Sequence, residues 1–249
     1  MDEFSKSDIN ATAIIQARIQ SKRLPGKSMK EIGGKPLLSF VIERAKAMRV
    51  KTVVVATCPG NDEIVELAAK MGVSSFVGSE SNVLERYTLA ARQAGGDYIV
   101  RVTGDNPFTD VEYGSMAIEI AAESNVDLTS ISGLPLGTGV EVIRREALET
   151  AYRESTTHYQ QEHVTPYIKE HSELFTIQRH PVRLRNPFRE LRLTVDTQED
   201  YALASEIINA LGSDRIFSVR EIISYLEEFP ELASLNKEIK QRPMTHSEK

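Results

Sequence analysis

Short apolar runs alternate along the chain with segments whose apolar residues recur at helical spacing. Thr12–Ala17 (TAIIQA) reads as a buried strand. Pro36–Met48 reads as a helix, with Leu37, Leu38, Val41, Ile42 and Ala45 on one stripe and Pro36 in the first turn, where its missing N–H costs nothing. Thr52–Thr57 is a second strand, Asn61–Met71 a helix ended by Gly72, and Val73–Val77 a third strand. Asn82–Ala94, closed by Gly95 and Gly96, is a third helix, and Asp97–Val102 a fourth strand. Strands alternating with helices predict an α/β fold with a parallel sheet and right-handed crossovers, and continuous apolar strands predict cover on both faces. Ligands of such sheets bind beyond the carboxyl ends of the strands. Here those are the loops after Ala17, Thr57 and Val102.

The pattern is less regular from Asp127 to Arg192. It predicts a strand at Val140–Ile143 and helices near Glu146–Arg153 and Gln160–Lys169. Arg179–Glu190 reads as a basic loop broken by Pro181 and Pro187, and Leu191–Val195 as a further strand. Asp200–Leu211 and Val219–Phe229 read as closing helices. The expected organisation is a flexible start (1–11), one α/β domain (12–229) and a charged, frayed tail (230–249).

The length of 249 residues and the 41% apolar content suit a domain with a sizeable core. The net charge of −6 argues against a general nucleic-acid binder. The single cysteine, Cys58, excludes an intrachain disulfide and fits a reducing compartment. Met1–Asn10 lacks the apolar core of a signal peptide, and no run approaches the ~20 apolar residues of a membrane span. A cytoplasmic protein without membrane contact is therefore expected.

The loop after the first strand carries Arg18, Lys22, Arg23, Lys27 and Lys30, with Ser21 and Gly26. Such a density of cations at a strand's carboxyl end suits a triphosphate, which takes several charge-assisted hydrogen bonds. The alternative is a solvated basic loop. Gly33-Gly34-Lys35 lacks the spacing of a Walker loop, and no Gly-x-Gly-x-x-Gly follows the first strand. Asp105 follows Gly104 at the end of the fourth strand, and Asp196 ends Leu191–Val195. Each suits a shared Mg²⁺, which takes one or two protein carboxylates. Each also suits a turn or helix cap, and Thr197 with Asp200 fits a capping box.

In order and number, the motifs resemble the cytidylyltransferases of the spore-coat polysaccharide protein F branch, related to 3-deoxy-manno-octulosonate and acylneuraminate cytidylyltransferases. They are Ala17-Arg18, Ser21–Lys27, Ile32–Pro36, Val54–Thr57, Asn82–Tyr87, Arg101–Asp105, Gly137–Glu141, Glu162–Tyr167 and Leu191–Asp196. The resemblance implies a Rossmann-like three-layer sandwich of the nucleotide-diphospho-sugar transferase type. It implies a dimerisation and acceptor-binding insertion at about 130–190 and a homodimer. CTP would be held by Ala17, Arg18, Ser21, Arg23, Lys27, Arg86 and Thr103, with Arg18, Lys27 and Asp105 catalytic. Asp105 and Asp196 would bind Mg²⁺, and Glu141 and His163 would face a sugar-acid acceptor. Read as residues alone, Arg86 also fits a helix-surface cation, Glu141 an outward strand position and His163 a packing or capping role. Gln20 stands where close relatives carry Gly or Ser, and Gly139 where many carry Asp. The competing readings are a glycosyltransferase of the same fold, for which Asp105-Asn106-Pro107 lacks a second carboxylate, and a catalytically silent nucleotide-binding module.

Overall fold

The computed structural model describes residues 9–184 and 190–241. The first half runs β1 (Ala11–Gln16), a small hairpin of β2 (Glu31–Ile32) and β3 (Lys35–Pro36), α1 (Leu37–Ala47), β4 (Thr52–Thr57), α2 (Asp62–Lys70), β5 (Ser74–Val77), α3 (Val83–Ala94) and β6 (Tyr98–Thr103). The second half runs α4 (Val111–Ser124), β7 (Leu128–Ser132), β8 (Glu141–Arg144), α5 (Arg145–Glu154), α6 (His158–His163), α7 (Pro166–Glu170), β9 (Ile177–Pro181), α8 (Gln198–Leu211) and α9 (Val219–Glu228).

One seven-stranded sheet has the order β5-β4-β1-β6-β8-β7-β9. Only β8 is antiparallel to its neighbours, β6 and β7. Strand alternation sorts the core into two layers. Ala13, Ile15, Val53, Val55, Val100 and Val102 face α1, α2, α4, α8 and α9. Ile14, Val54, Ala56, Ile99 and Ile143 face α3, α5 and the α6–α7 pair. The result is a Rossmann-like α/β three-layer sandwich. Tyr87 of α3 is wholly buried, and its hydroxyl lies within hydrogen-bond distance of the Ile14 and Val102 carbonyls, pinning the helix over the central strands.

The structure departs from the sequence pattern in identifiable places. The helix α4 and strand β7 were not legible: α4 carries Gly114, packed so closely on Met48 that a Cβ would lie 2.8 Å from its sulfur. The segment expected as one helix over 160–169 is split into α6 and α7, because Pro166 has no N–H to continue it. The first residues of the expected basic loop, 179–181, instead end β9, which is parallel to β7, while 185–189 lie outside the described residues. Leu191–Val195 is not a strand; it makes one isolated bridge, Arg192 with Leu136, before its backbone turns to the Asp105 loop. At the start, Asn10 is already held, its carbonyl accepting from Asp97 N at 2.7 Å; residues 1–8 lie outside the description. The segment expected to fray packs back as far as Gln241: a short 3₁₀ turn covers Leu232–Ser234, and Asn236 is buried. Its amide donates to Arg192 O and to Asp200 Oδ1 at the start of α8, partners that a charge-counting argument cannot foresee.

Candidate active site

Three loops meet at the carboxyl edge of β1, β4 and β6. The loop after β1 folds back on itself. Gly26 adopts φ +69° and its N–H donates to Ile19 O at 3.2 Å, while Ser28 Oγ donates to Arg18 O. Asn61, buried at the end of the β4 loop, accepts from Ile19 N at 2.7 Å and donates to Cys58 O. These bonds set the loop so that the short 3₁₀ turn Lys27–Met29 points the Lys27 ammonium back over the sheet edge.

The two carboxylates come together through the backbone. Gly104 donates to Gln16 O at 2.8 Å, and a Cβ there would lie 2.9 Å from that oxygen, so only glycine lets β6 close this tightly on β1. Asp105 O then accepts from Val195 N at 2.8 Å, which lays the segment before α8 against the Asp105 turn. Gly137, at φ +93°, permits the neighbouring approach: a Cβ would meet Thr194 N at 2.5 Å. Lys27 thereby meets Asp105, 78 positions on, and Asp196, 169 positions on. Lys27 Nζ lies 2.7 Å from Asp105 Oδ2 and 2.7 Å from Asp196 Oδ1. Asp196 Oδ2 faces Arg23 at 3.0 Å and Arg192 at 2.9 Å.

Burial opposes the charge of Asp196, but Lys27, Arg23 and Arg192 outweigh it and hold its carboxyl below the usual aspartate value. Burial likewise opposes the Lys27 charge, and the two aspartates outweigh it and raise its pKa. The Asp196 contribution to stability is therefore complete above its ordinary value of 3.8 and is lost as pH falls through the lower folded value. Glu141 is depressed in the same way from 4.5, with burial opposed by Arg101 and Lys169. Thermal melts stepped down through this acid range should show a falling midpoint, with a shallower slope in Glu141→Gln. Equal slopes would show that the Glu141 network contributes nothing to acid sensitivity.

The remaining residues singled out by sequence divide into groups. Arg18 is exposed and makes no ion pair among the described residues, but its charge bears on Arg86. Arg86 is buried on α3, not a surface cation; Nη1 donates to Ser79 O, its Nε has no partner, and burial lowers its pKa. Ser21 is used locally, accepting from Leu24 N, and Thr103 Oγ1 accepts from Asn106 Nδ2 within the turn that carries Asp105. Ala17 is buried and donates to Ala56 O. Gln20 and Lys22 are exposed, while Lys30 turns away over the Tyr201 ring at 5.4 Å. So Lys27 and Arg23 converge on the carboxylates, and Lys30 does not.

Glu141 and His163 lie on the other face of β6 and β8. Glu141 is directly opposite Arg101 in the sheet and binds Arg101 at 3.2 Å, Lys169 at 2.5 Å and Thr165 Oγ1 at 3.0 Å. It is an inward, neutralised carboxylate rather than an outward strand residue. Thr165 is aimed at it by a γ-turn at Val164, a β-branched residue at φ 72° whose turn closes by Thr165 N to His163 O at 2.9 Å. His163 stacks edge-on to Tyr159, and burial lowers its pKa. Gly139 has room for a side chain, its nearest neighbours to a Cβ being Leu134 at 3.6 Å and Ile131 O at 3.9 Å. Sequence reasoning missed Arg101, Thr165, Lys169 and Arg192. The last stands four residues before Asp196 and is paired with it.

Asp105 and Asp196 share one cation, so the pair of carboxylates would also serve a hard divalent ion if the Lys27 ammonium moved aside. No group of three or more His, Cys, Asp or Glu side chains that could hold a metal occurs among the described residues. Such an ion would complete its shell with phosphate oxygens and water.

Comparison with known proteins places the chain among cytidylyltransferases. The family model described as Cytidylyltransferase matches residues 12–242. The chain is 35% identical to spore coat polysaccharide biosynthesis protein SpsF of Bacillus subtilis over 239 residues, covering 89% of this chain and 95% of that protein. It is 37% identical to a 3-deoxy-manno-octulosonate cytidylyltransferase of Geobacter sulfurreducens over 119 residues, 47% of each chain. The solved structure of a cytidylyltransferase from Leptospira borgpetersenii superposes with a TM-score of 0.83 at 29% identity, covering 95% of this chain and all of that one. With matching sequence over nearly its whole length and the carboxylates and cations gathered at the strand ends, the chain belongs to the cytidylyltransferase family, a family of nucleotidyltransferases.

Proposed function

We propose that the protein transfers CMP from CTP to a hydroxyl of a sugar acid, releasing pyrophosphate, with Mg²⁺ at Asp105 and Asp196, in surface polysaccharide biosynthesis. The carrying observation is the convergence of Lys27 on both carboxylates at the sheet edge of a chain from this family. The acceptor class rests on the names of SpsF and the octulosonate enzyme. The hydroxyl oxygen bonds to the α-phosphorus as the bond to the β-phosphate bridge breaks, with pyrophosphate leaving in line. Mg²⁺ supplies charge neutralisation of the phosphates and orientation of the α-phosphorus. Lys27 and Arg23, already beside Asp196, face the triphosphate charge, and Arg18 lies exposed at the same loop. Both aspartates are engaged with cations, so neither is a ready base, and the hydroxyl proton passes to solvent. Glu141 and the cations around it, with His163, lie on the face left for the acceptor.

The glycosyltransferase reading gains nothing: Pro107 stands where the second carboxylate of the triplet would be, and Asn106 is committed to Thr103. Pairing into a homodimer through about 130–190 belongs to the same proposal, and light scattering tests it. No described helix is long and apolar enough to cross a membrane. The test of function is pyrophosphate release from CTP and Mg²⁺ across a panel of sugar acids. Release that needs both CTP and one acid supports the proposal. CTP binding without turnover on any member sinks it in favour of a silent nucleotide-binding module.

A further inference from the structure

Behind Asp196 lies a polar cluster that transfer chemistry does not require. The Arg192 side chain is 6% exposed and that of Asp200 0%. Arg192 donates from Nε to Asp200 Oδ1 at 2.9 Å and from Nη2 to Asp200 Oδ2 at 3.1 Å. The same Nη2 reaches Asp196 Oδ2 at 2.9 Å. Asp200 also accepts from the Asp196 and Thr197 N–H groups and caps α8. A cap alone needs only those backbone bonds. Here the C-terminal segment adds two more amides. Asn236 Nδ2 donates to Arg192 O at 2.9 Å and to Asp200 Oδ1 at 2.8 Å. Gln241 Oε1 accepts from Arg192 Nη1 at 2.5 Å.

A carboxylate can turn about its last bond and present either oxygen. Asp196 Oδ2 is taken by Arg192 and Arg23, which leaves Oδ1 facing Lys27. Asp105 has no comparable support: Lys27 is the one side chain bonded to its carboxylate among the described residues. We propose that Arg192, locked by Asp200 and by the tail residues Asn236 and Gln241, is a positioning residue that fixes Asp196 so that Oδ1 faces the cation of the site. The segment 231–241 then supports the transfer centre through Arg192 and Asp200. This rests on the divalent-ion reading given above. Partners that orient a metal ligand from behind typically set its affinity by about 10- to 100-fold.

The test is Mn²⁺ binding to the full chain, followed by electron paramagnetic resonance in the presence of CTP. Wild type is compared with Arg192→Lys, which keeps the charge and loses the fork, and Gln241→Met, which changes an exposed residue. Melting curves are run beside each. Arg192→Lys should weaken Mn²⁺ binding at least about tenfold. Gln241→Met should weaken it in the same direction by less, at an unchanged melting temperature. In both, the metal concentration for half-maximal pyrophosphate release should rise while kcat at saturating metal recovers. Unchanged Mn²⁺ affinity with a lower melting temperature in Arg192→Lys makes the cluster merely structural and overturns the proposal. If Arg192→Lys does not fold, Gln241→Met decides: equal affinity there overturns the role of the tail. A wild type that binds no Mn²⁺ fails at the earlier step and removes the metal reading together with this one.

Discussion

Lys27→Met should lower turnover of CTP by about 10²–10³-fold, the usual cost of losing one preorganised contact to transition-state charge. The same substitution should tighten binding of Mn²⁺ to the nucleotide-free protein. In the wild type the ammonium sits 2.7 Å from each carboxylate, where a divalent ion would bind. A metal entering alone must displace it. Once CTP is present, the displaced ammonium has phosphate oxygens to go to. Without Lys27 the two carboxylates face each other with less neutralisation, so the metal-free variant should melt lower than wild type. Added Mn²⁺ should restore more stability to the variant than to wild type, since ligand stabilisation grows as the dissociation constant falls. Pyrophosphate release and melting curves with and without Mn²⁺ check both halves. Normal turnover together with unaltered Mn²⁺ binding would remove Lys27 from the chemistry and from the cation site.

The second large effect separates the two aspartates. Asp105→Asn and Asp196→Asn should each lower turnover by about 10²–10³-fold, but only the second should cost appreciable stability. Asp105 answers one cation, and Lys27 keeps Asp196 when Asp105 loses its charge. Asp196 answers Lys27, Arg23 and Arg192, with its side chain 13% exposed. Neutralising it leaves cations facing one another in a partly dry site. The cost should be about 2 kcal/mol, between that of an exposed and a buried pair. Turnover assays beside denaturant melts make the comparison. Equal stability losses would mean that the charges around Asp196 do not hold the fold there. Full activity in Asp105→Asn would end its assignment as a metal ligand.

Much of the first half of the molecule was legible because its signals are local. Strands β1, β4, β5 and β6 and helices α1, α2 and α3 lie within a residue or two of their expected positions, and Asn82 caps α3 by accepting from Glu85 N. Apolar periodicity and capping act over a few neighbours, which a sequence displays directly. The Thr197–Asp200 capping box was legible for the same reason. Periodicity failed where long-range packing decided the outcome. The five residues of Leu191–Val195 alternate like a strand, yet the Leu193 and Val195 N–H groups go to Leu136 and Asp105, and among the described residues the segment pairs only through its isolated bridge to Leu136.

By itself, the sequence determined the alternation of strands and helices, the carboxyl edge where ligands collect, and the density of cations on the loop after the first strand. Only the tertiary structure decided which of those cations matter to the carboxylates. Lys27 and Arg23 reach Asp196, whereas Lys30 lies over Tyr201. It also decided that Glu141 is an inward ion-paired group and that the C-terminal segment reaches Arg192. The physical reason is separation along the chain. Charge and hydrogen-bond partners act over a few ångströms of space, and the backbone bond from Val195 to Asp105 creates that nearness between residues the sequence holds far apart.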